Sequence, residues 1–540
     1  MRLGRYQTQG VGWLLRVTLP LCLVSCDGCG EARPQLTSPT LSHGVMSGEM
    51  DQRSAVVWGR GTGPGFLTVE LQPPGARRAS APLDAARDFT ARIYLGDLEP
   101  GTDYSYRAWV SLAPPSASDV APEAAVGGRF RTAFDAQAVE RVHFAFSGDL
   151  SGQNACRDAD RGYPIFDAIA EDRLDFFIGL GDMIYADGVC DLRGRYFNQQ
   201  VPRGNSAATK RSEFWEHWRY NREDAAFQRL LSGGGYYAVW DDHEVVNDFG
   251  PERDQRGNAP YRVAQHLMPA GLQAFLDYHG FPPRAEQERR LYRSRRWGKQ
   301  VELFFLDTRQ YRSVASLPGT DVKKSMLGAQ QFEWLVEGLR KSDATWKFIV
   351  NSVPLAVPTG WPPEGPRDGW ANFGGPTGFE VELTRLVAVL PELKPANVVF
   401  LTTDLHFAAA YTYRPFSGAT APGPNSEFSF TELVAGPLSA GLFPKLIFDE
   451  SFGAERLFIH APLTGKPVES LDEALGWFNY AVVDVDTSGQ LEVSYRDGAG
   501  RVLYQLSLAP GVPAVVRSAS GEPPIGASRQ GTPAPRPSAN

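Results

Sequence analysis

The sequence predicts an α/β protein whose main domain follows a small N-terminal β-sandwich. Between about residues 40 and 135, short apolar strands are separated by glycine-rich turns. From about residue 140, apolar strands alternate with segments of helical periodicity, which is typical of a layered α/β sheet. A chain of 540 residues with 42% hydrophobic and 21% charged residues can bury a large core and form two or more domains.

The first 26 residues resemble an export signal. Arginines precede the apolar run 17–24, which is too short to span a bilayer but suits the core of a signal peptide. The run ends in Leu23-Val-Ser-Cys26, which resembles a bacterial lipobox. We therefore expect lipidation of Cys26 and an exported, membrane-anchored lipoprotein that faces the periplasm or the cell surface. The alternative is an ordinary signal peptide that is cleaved nearby, and residues 27–39 are interpreted as a spacer in either case.

The predicted β-sandwich occupies residues 40–135. Its clearest strands are 54–60 and 66–71, where β-branched and aromatic residues lie between glycine-rich turns. The stretch Leu98-Glu-Pro-Gly-Thr-Asp-Tyr-Ser-Tyr-Arg107 resembles the turn and tyrosine-bearing strand of fibronectin type III-like domains. Residues 112–128 are rich in proline, alanine and serine and are predicted to form a loop before the last strand.

The α/β domain is predicted to span residues 136–508. Its strands are expected at 142–146, 174–180, 236–240, 301–306, 346–350 and 398–401, with helices at 163–171 and 330–341. Parallel strands of such a domain are buried on both faces, which explains their nearly continuous apolar character. Residues 509–540 are dominated by proline, glycine and serine and are predicted to be disordered.

The negative net charge of the chain argues against a nucleic acid as its binding partner. The formal net charge is −8 and the isoelectric point is near 5.6, so no basic surface for a nucleic acid is expected. A small anionic ester held by metal ions is compatible with this charge. The sequence makes no prediction about oligomeric state.

Cysteine usage fits an exported protein. After lipidation of Cys26, the chain would keep Cys29, Cys156 and Cys190 as thiols, and an oxidising exterior would allow one bridge. We predict that Cys156 pairs with Cys190. No recurrent Cys-x-x-Cys spacing indicates a thiolate metal cluster.

Acidic residues and histidines follow four of the apolar strands directly. They lie in the segments Phe146-Ser-Gly-Asp149, Gly181-Asp-Met-Ile-Tyr185, Trp240-Asp-Asp-His-Glu244 and Thr403-Asp-Leu-His406. Residues beyond the carboxyl ends of parallel strands converge at one edge of a sheet. Carboxylates brought together there would repel one another unless a cation neutralised them, so the pattern predicts a two-metal centre. The oxygen-rich ligand set favours calcium, manganese or iron over a thiolate-type zinc site.

Five motifs, in this order, resemble the alkaline phosphatase D (PhoD-like) family over roughly residues 40–500. They are Leu180-Gly-Asp-Met-Ile-Tyr185, Trp240-Asp-Asp-His-Glu-Val245, Leu306-Asp-Thr-Arg-Gln-Tyr-Arg312, Leu327-Gly-Ala-Gln-Gln-Phe-Glu-Trp-Leu335 and Asp404-Leu-His406. Each motif alone is weak, whereas their conjunction is specific. The resemblance implies a calcineurin-like metallophosphoesterase sandwich core, hydrolysis of phosphate monoesters or diesters, and calcium and iron as cofactors.

The resemblance also implies roles for individual residues. Asp149 would bind one metal ion, Asp182 would bridge two, and Tyr185 would supply a phenolate. The remaining expected metal ligands are Asp242, Asp404 and His406. His243 would face the substrate, as general acid or as stabiliser of the phosphoryl oxygens.

Three further residues are candidates for contacting the substrate or supporting the ligands: Asp241, Asn247 and Arg309. An arginine such as Arg309 could clamp a phosphate or equally pair with carboxylates at the rim. The iron-containing branch of the family has a cysteine where this chain has Ser147-Gly148, and this difference argues against iron.

The two alternative functions are a serine hydrolase and an inactive binding protein. A serine hydrolase is disfavoured because the chain has no Gly-x-Ser-x-Gly elbow, and Gly436-Pro-Leu-Ser-Ala-Gly441 has the wrong spacing. A catalytically inactive, lipid-anchored binding protein on the same fold is the alternative from another class. The joint presence of Asp182, Asp242, His243, Asp404 and His406 argues against it.

Overall fold

The computed structural model describes residues 38–73, 77–116, 118–204, 207–250, 264–360, 367–371, 377–417, 425–444, 449 and 452–512. The described part of 39–512 belongs to one compact unit. Cys26, Cys29 and the tail from residue 513 lie outside the described residues, so their predicted lipidation and disorder stay predictions. Among the described helices, none combines the length and the apolar character that crossing a membrane requires.

The twenty described strands are β1 (Leu41–Asp51), β2 (Ser54–Gly61), β3 (Gly65–Leu71), β4 (Arg77–Leu83), β5 (Thr90–Leu95), β6 (Asp103–Ser111), β7 (Val126–Arg131), β8 (Val142–Ser147), β9 (Phe176–Gly179), β10 (Gly235–Ala238), β11 (Arg293–Trp297), β12 (Val301–Phe305), β13 (Trp346–Val350), β14 (Val398–Thr402), β15 (Ala408–Tyr413), β16 (Phe430–Val434), β17 (Ala454–His460), β18 (Asn479–Val485), β19 (Leu491–Asp497) and β20 (Val502–Leu508). The described helices are α1 (Ile165–Glu171), α2 (Arg211–Arg222), α3 (Ala225–Ser232), α4 (Ala264–Tyr278), α5 (Pro283–Glu288), α6 (Gly328–Lys341), α7 (Glu380–Val389) and α8 (Leu471–Leu475). The strands and helices predicted for the α/β domain are all present, with ends shifted by at most two residues.

A nine-stranded sheet forms one half of the core, in the order β20-β19-β18-β8-β9-β10-β1-β2-β5. Its central strands β8, β9, β10 and β1 are parallel. The first described strand, β1, therefore continues the main sheet, with Ser47 aligned to Gly235. Helices α1 to α4 cover the outer face of this sheet with an apolar cluster that includes Phe166, Phe214 and Phe275.

A seven-stranded sheet, in the order β11-β12-β13-β14-β16-β15-β17, packs against the first. One apolar core contains side chains from both sheets, and Phe144 of β8 meets Phe348 of β13 edge to face with ring centroids 5.4 Å apart. Helices α6 and α7 cover the other face of the second sheet. The result is a helix–sheet–sheet–helix sandwich in which the parallel strands β8, β9, β10, β13 and β14 approach one edge.

Strands β4-β3-β6-β7 form a third sheet of their own. Its inward side chains, such as Leu67 and Tyr106, share a core with Val57 and Ile93 of the nine-stranded sheet. The sequence predicts a sandwich of its own over residues 40–135. In the structure, one of its two layers consists of β1, β2 and β5, which the hydrogen bonding of β1 to β10 makes continuous with the main sheet.

Candidate metal centre

Four loops at the carboxyl ends of β8, β9, β10 and β14 meet at one place. The backbone amide of Asp149 donates to Gly181 O at 3.2 Å, and that of Leu150 donates to Asp182 O at 2.7 Å. The hydroxyl of Thr403, which follows β14 in the opposite sheet, donates to Asp149 Oδ2 at 2.7 Å. The structure therefore brings the loops of both sheets together, as the pattern of acidic strand ends predicts.

Several predicted ligands have a left-handed backbone. The φ angles are 63° at Asp149, 52° at Asp182, 69° at Asp404 and 56° at His406. This conformation is unfavourable for residues other than glycine and costs of order 1 kcal/mol or more each. Four such residues at adjoining strand ends show that the surrounding fold holds the side chains in place against local preference.

The carboxylates at this edge are buried and only partly satisfied. Asp149 Oδ1, Asp182 Oδ2 and Asp242 Oδ1 have no hydrogen-bond partner among the described residues. Burial, with the charge of Asp241, raises the pKa of Asp149 to about 7, and burial with Asp242 and Asp241 raises the pKa of Asp182 well above its usual value. Burial and the same neighbours raise the pKa of Asp404. Unpaired oxygens in mutually repelling carboxylates are the donor set that a bound cation would satisfy.

The ligand atoms lie in two adjoining groups. Oxygen or nitrogen atoms of Asp182, Asp242 and His243 lie within 4.8 Å of one another. On the other side, the hydroxyl of Tyr185 is 3.0 Å from His406 Nε2, which is 3.9 Å from Asp149 Oδ1. These spacings are compatible with two neighbouring metal sites.

The imidazole of His406 is oriented as a ligand through Nε2. Its Nδ1 donates to the carbonyl of Gly441, so Nε2 carries the lone pair and faces the hydroxyl of Tyr185. Burial lowers the pKa of His406 to about 4, which keeps the ring neutral. The ring of Phe443 stacks on it with centroids 4.5 Å apart. A backbone carbonyl on the second nitrogen is the usual arrangement for a metal-binding histidine.

His243 is held by a carboxylate that the sequence analysis did not identify. Asp187 Oδ1 is 2.6 Å from His243 Nδ1, and Asp187 Oδ2 accepts the backbone amide of Asn247 at 2.9 Å. Burial alone would lower the pKa of His243, but Asp187 and Asp242 outweigh it and raise the pKa to about 10. The ring of His243 lies 4.1 Å from the ring of Tyr185, centroid to centroid. Asn247, a candidate substrate contact, enters this arrangement through its backbone.

The side chain of Glu244 joins the loop after β9 to the loop after β10. Its carboxylate accepts the backbone amides of Asp182 at 3.0 Å, Met183 at 2.8 Å and Asp241 at 2.7 Å. The side chain is buried, with 1% of its surface exposed. Its place directly after His243 was the only sequence signal for this role, and a single glutamate after a histidine is too common to be diagnostic.

Arg309 is a buried partner of carboxylates. It is fully buried, and its Nε donates to Asp241 Oδ1 at 2.6 Å. Its terminal nitrogens donate to Asp368 at 2.9 and 2.7 Å, and Arg312 also pairs with Asp368. The sequence left two hypotheses for Arg309, a phosphate clamp and a partner of carboxylates. The structure supports the partner of carboxylates. Asp241, fixed by Arg309 and by Ser352 Oγ at 2.9 Å, lies beside the ligands.

A disulfide connects two of the ligand loops. Cys156 and Cys190 are bonded at 2.08 Å, which confirms the predicted pairing. Cys156 follows the loop of Asp149, and Cys190 follows the loop of Asp182 and Tyr185. Both sulfurs are buried against Tyr220 of α2. The bridge therefore ties the segment that follows β8 to the segment that follows β9.

Comparison with known proteins identifies the family. The model of the PhoD-like phosphatase family matches residues 144–487, more than half of the chain, and the model of its N-terminal domain matches residues 28–134. An alkaline phosphatase D of Bacillus subtilis (strain 168) is 24% identical over 464 residues, a match covering 79% of this chain and 75% of that protein.

Solved structures show the same fold. A structure of PhoD superposes with a TM-score of 0.68 at 18% identity, covering 87% of this chain and 90% of the other. The purple acid phosphatase PPD1 from yellow lupin (Lupinus luteus) seeds gives a TM-score of 0.53 at 13% identity, covering 87% and 74%. Together with the family match over residues 144–487, these similarities show that the chain belongs to the PhoD-like phosphatase family.

Proposed function

We propose that this protein hydrolyses phosphate monoesters, phosphate diesters or both, with water activated at a centre of two metal ions. The observation that carries the proposal is the set of buried carboxylate oxygens without hydrogen-bond partners at Asp149, Asp182 and Asp242. Buried anions in this number are costly unless cations neutralise them. The family match supports phosphate-ester chemistry at such a centre.

The donor set fits two cations. Asp149, Tyr185 and His406 would hold one, and Asp242 with Asp404 would hold the other, with Asp182 between them. When bound, the two ions would lower the pKa of a water molecule and neutralise charge on the phosphoryl group. Calcium, manganese and iron match this set of oxygen and imidazole donors, and the absence of the family cysteine at Ser147-Gly148 speaks against iron.

His243 is proposed as the general acid. The carboxylate of Asp187 keeps its ring protonated and sets its orientation through Nδ1, which leaves Nε2 to donate a proton to the leaving oxygen. The backbone amide of His243 donates to Asp182 Oδ1 at 3.0 Å, so the acid and the expected bridging carboxylate are fixed to one another. This arrangement separates the roles of ligand and acid between adjacent residues, Asp242 and His243.

The test uses the chain expressed from residue 27, its metal content, and hydrolysis of p-nitrophenyl phosphate and bis(p-nitrophenyl) phosphate. We expect bound metal, hydrolysis of at least one substrate, and loss of activity with a chelator. Asp182→Asn should lose metal and activity while the circular dichroism spectrum is retained. Asp191→Asn, at an exposed position nearby, is the matched control. Metal binding without hydrolysis of either substrate would instead favour the inactive binding protein.

Export and lipid anchoring are proposed from the sequence of residues 1–26. The full chain expressed in a bacterial host should be labelled by radioactive palmitate and should partition into Triton X-114. Cys26→Ser should abolish both. Labelling that persists in Cys26→Ser would place the lipid elsewhere.

A further inference from the structure

A pocket of about 320 Å³ lies beside the candidate centre. Its lining includes Arg195, Tyr196, Phe197, Leu442, Leu463 and Lys466. We propose that this side pocket binds the part of a phosphodiester substrate that lies beyond the scissile phosphate, and that it selects a group with an apolar face and a second negative charge. The inference rests on the proposed phosphate-ester hydrolysis and names the substrate class of that same site.

The side pocket is separated from the centre by one chain segment, residues 440–444. The hydroxyl of Tyr196 donates to Ala440 O at 2.8 Å and accepts the backbone amide of Leu442 at 3.0 Å. Two other residues of the same segment contact His406. Gly441 O accepts a hydrogen bond from His406 Nδ1, and the ring of Phe443 stacks on the imidazole. Leu442 lines the pocket while Gly441 and Phe443 contact His406, so the pocket and the candidate centre lie against the same short segment.

The charge of the side pocket is positive. Arg195 and Lys466 are both exposed, and within the described residues neither forms an ion pair with a carboxylate. The side chain of Arg195 hydrogen-bonds Tyr196 of the same pocket. Arginine and lysine side chains that line one pocket and have no carboxylate partner among the described residues are suited to a phosphate or carboxylate group of the ligand.

The remaining lining is apolar and accessible. Phe197 is 58% exposed and Leu463 is 64% exposed, although both are large hydrophobic side chains. The guanidinium of Arg193 lies 5.1 Å from the ring centroid of Phe197 and supports that ring from one side. Exposed apolar side chains grouped beside cations that have no carboxylate partner among the described residues indicate a ligand that combines a flat or apolar face with an anion.

The experiment compares two p-nitrophenyl diesters of thymidine 5′-phosphate on the full chain with its metals, one carrying a free 3′-hydroxyl and the other a 3′-phosphate. In both, water attacks phosphorus, the bond to the nitrophenyl oxygen breaks, and p-nitrophenolate is released. We expect kcat/KM to be about tenfold higher for the 3′-phosphate compound, mainly through KM. Arg195→Ala/Lys466→Ala should bring this ratio close to one, and Arg195→Lys/Lys466→Arg should retain most of it.

The matched control, Arg53→Ala/Lys341→Ala, removes two exposed cations elsewhere and should keep the wild-type ratio. A wild-type ratio near one, or a ratio unchanged in Arg195→Ala/Lys466→Ala, would overturn the inference even though hydrolysis is observed. Absence of all hydrolysis would instead count against the proposed function. In that case, binding to the side pocket is measured by calorimetry. Thymidine 3′,5′-bisphosphate should bind more tightly than thymidine 5′-phosphate only when Arg195 and Lys466 are both present.

Discussion

Asp187 Oδ1 lies 2.6 Å from His243 Nδ1, and the carboxylate is itself held by the backbone amide of Asn247. This pair connects the loop after β9 with the loop after β10, so the orientation of the proposed acid depends on a residue 56 positions away. Because the carboxylate keeps the imidazole charged, its removal should weaken proton donation without removing a metal ligand.

Asp187→Asn is therefore expected to lower kcat by about a hundredfold for a phenyl ester, whose leaving group needs a proton. The loss should be much smaller for a p-nitrophenyl ester, which leaves as a stable anion. Leaving-group dependence is measured with a series of substituted phenyl phosphates, and Asp191→Asn provides the control. Equal losses across the series would show that Asp187 does not act through an acid.

The metal ion beside Tyr185 can be identified from the visible absorption of the reconstituted protein. Its hydroxyl is 3.0 Å from His406 Nε2, so both groups would contact the same ion. Protein reconstituted with ferric ion should show a visible absorption band from a phenolate ligand, and Tyr185→Phe should not. A band that survives in Tyr185→Phe would remove this residue from the ligand set. Activity in a colourless calcium or manganese form would show that iron is dispensable.

The Cys156–Cys190 bridge should stabilise the ligand loops. The two cysteines are 34 residues apart, and loss of a disulfide that closes a loop of this length costs about 2–4 kcal/mol of unfolding free energy. We expect Cys156→Ser/Cys190→Ser to unfold at lower denaturant concentration and to release metal faster to a chelator. Unchanged metal release together with lower stability would confine the bridge to a structural role.

His279 should make stability depend on pH. Burial, with the charge of Arg222, lowers its pKa well below 6.5, and its Nδ1 donates to Phe275 O at 2.7 Å. Below about pH 6.5 the unfolded chain binds a proton at this residue and the folded chain does not, so stability falls as pH decreases through this window. Between pH 7.5 and 5.5, His279→Gln should lose less unfolding free energy than the wild type, by about 1.4 kcal/mol. Equal losses in urea titrations would contradict the assignment.

Much of the candidate centre was predictable because its signals are local. An apolar run followed at once by Asp149, Asp182 or Asp404 identifies both a buried strand and a polar group at its end. The structure brings these residues together, with Asp242, His243 and His406, at one edge of the two sheets. The helix of residues 328–341 was likewise recognisable from the periodicity of its buried face.

Other features depend on contacts between residues that are distant in sequence. Asp368, which pairs with Arg309 and Arg312, follows a proline- and glycine-rich stretch and carries no motif. Whether Arg309 met a phosphate or a carboxylate was decided by this pairing. The pairing of β1 with β10 makes the N-terminal strands continuous with the main sheet. The sequence pattern predicts a separate β-sandwich over residues 40–135.

The sequence by itself identified the candidate residues of the centre, because strand ends and residue types are recognised within a few positions. The tertiary structure alone decided which carboxylate orients His243, which ones neutralise Arg309, and which cations of the side pocket lack a carboxylate partner among the described residues. The physical reason is that a charged side chain acquires its role from the partner that burial brings to it. Folding determines that partner, and sequence neighbours do not.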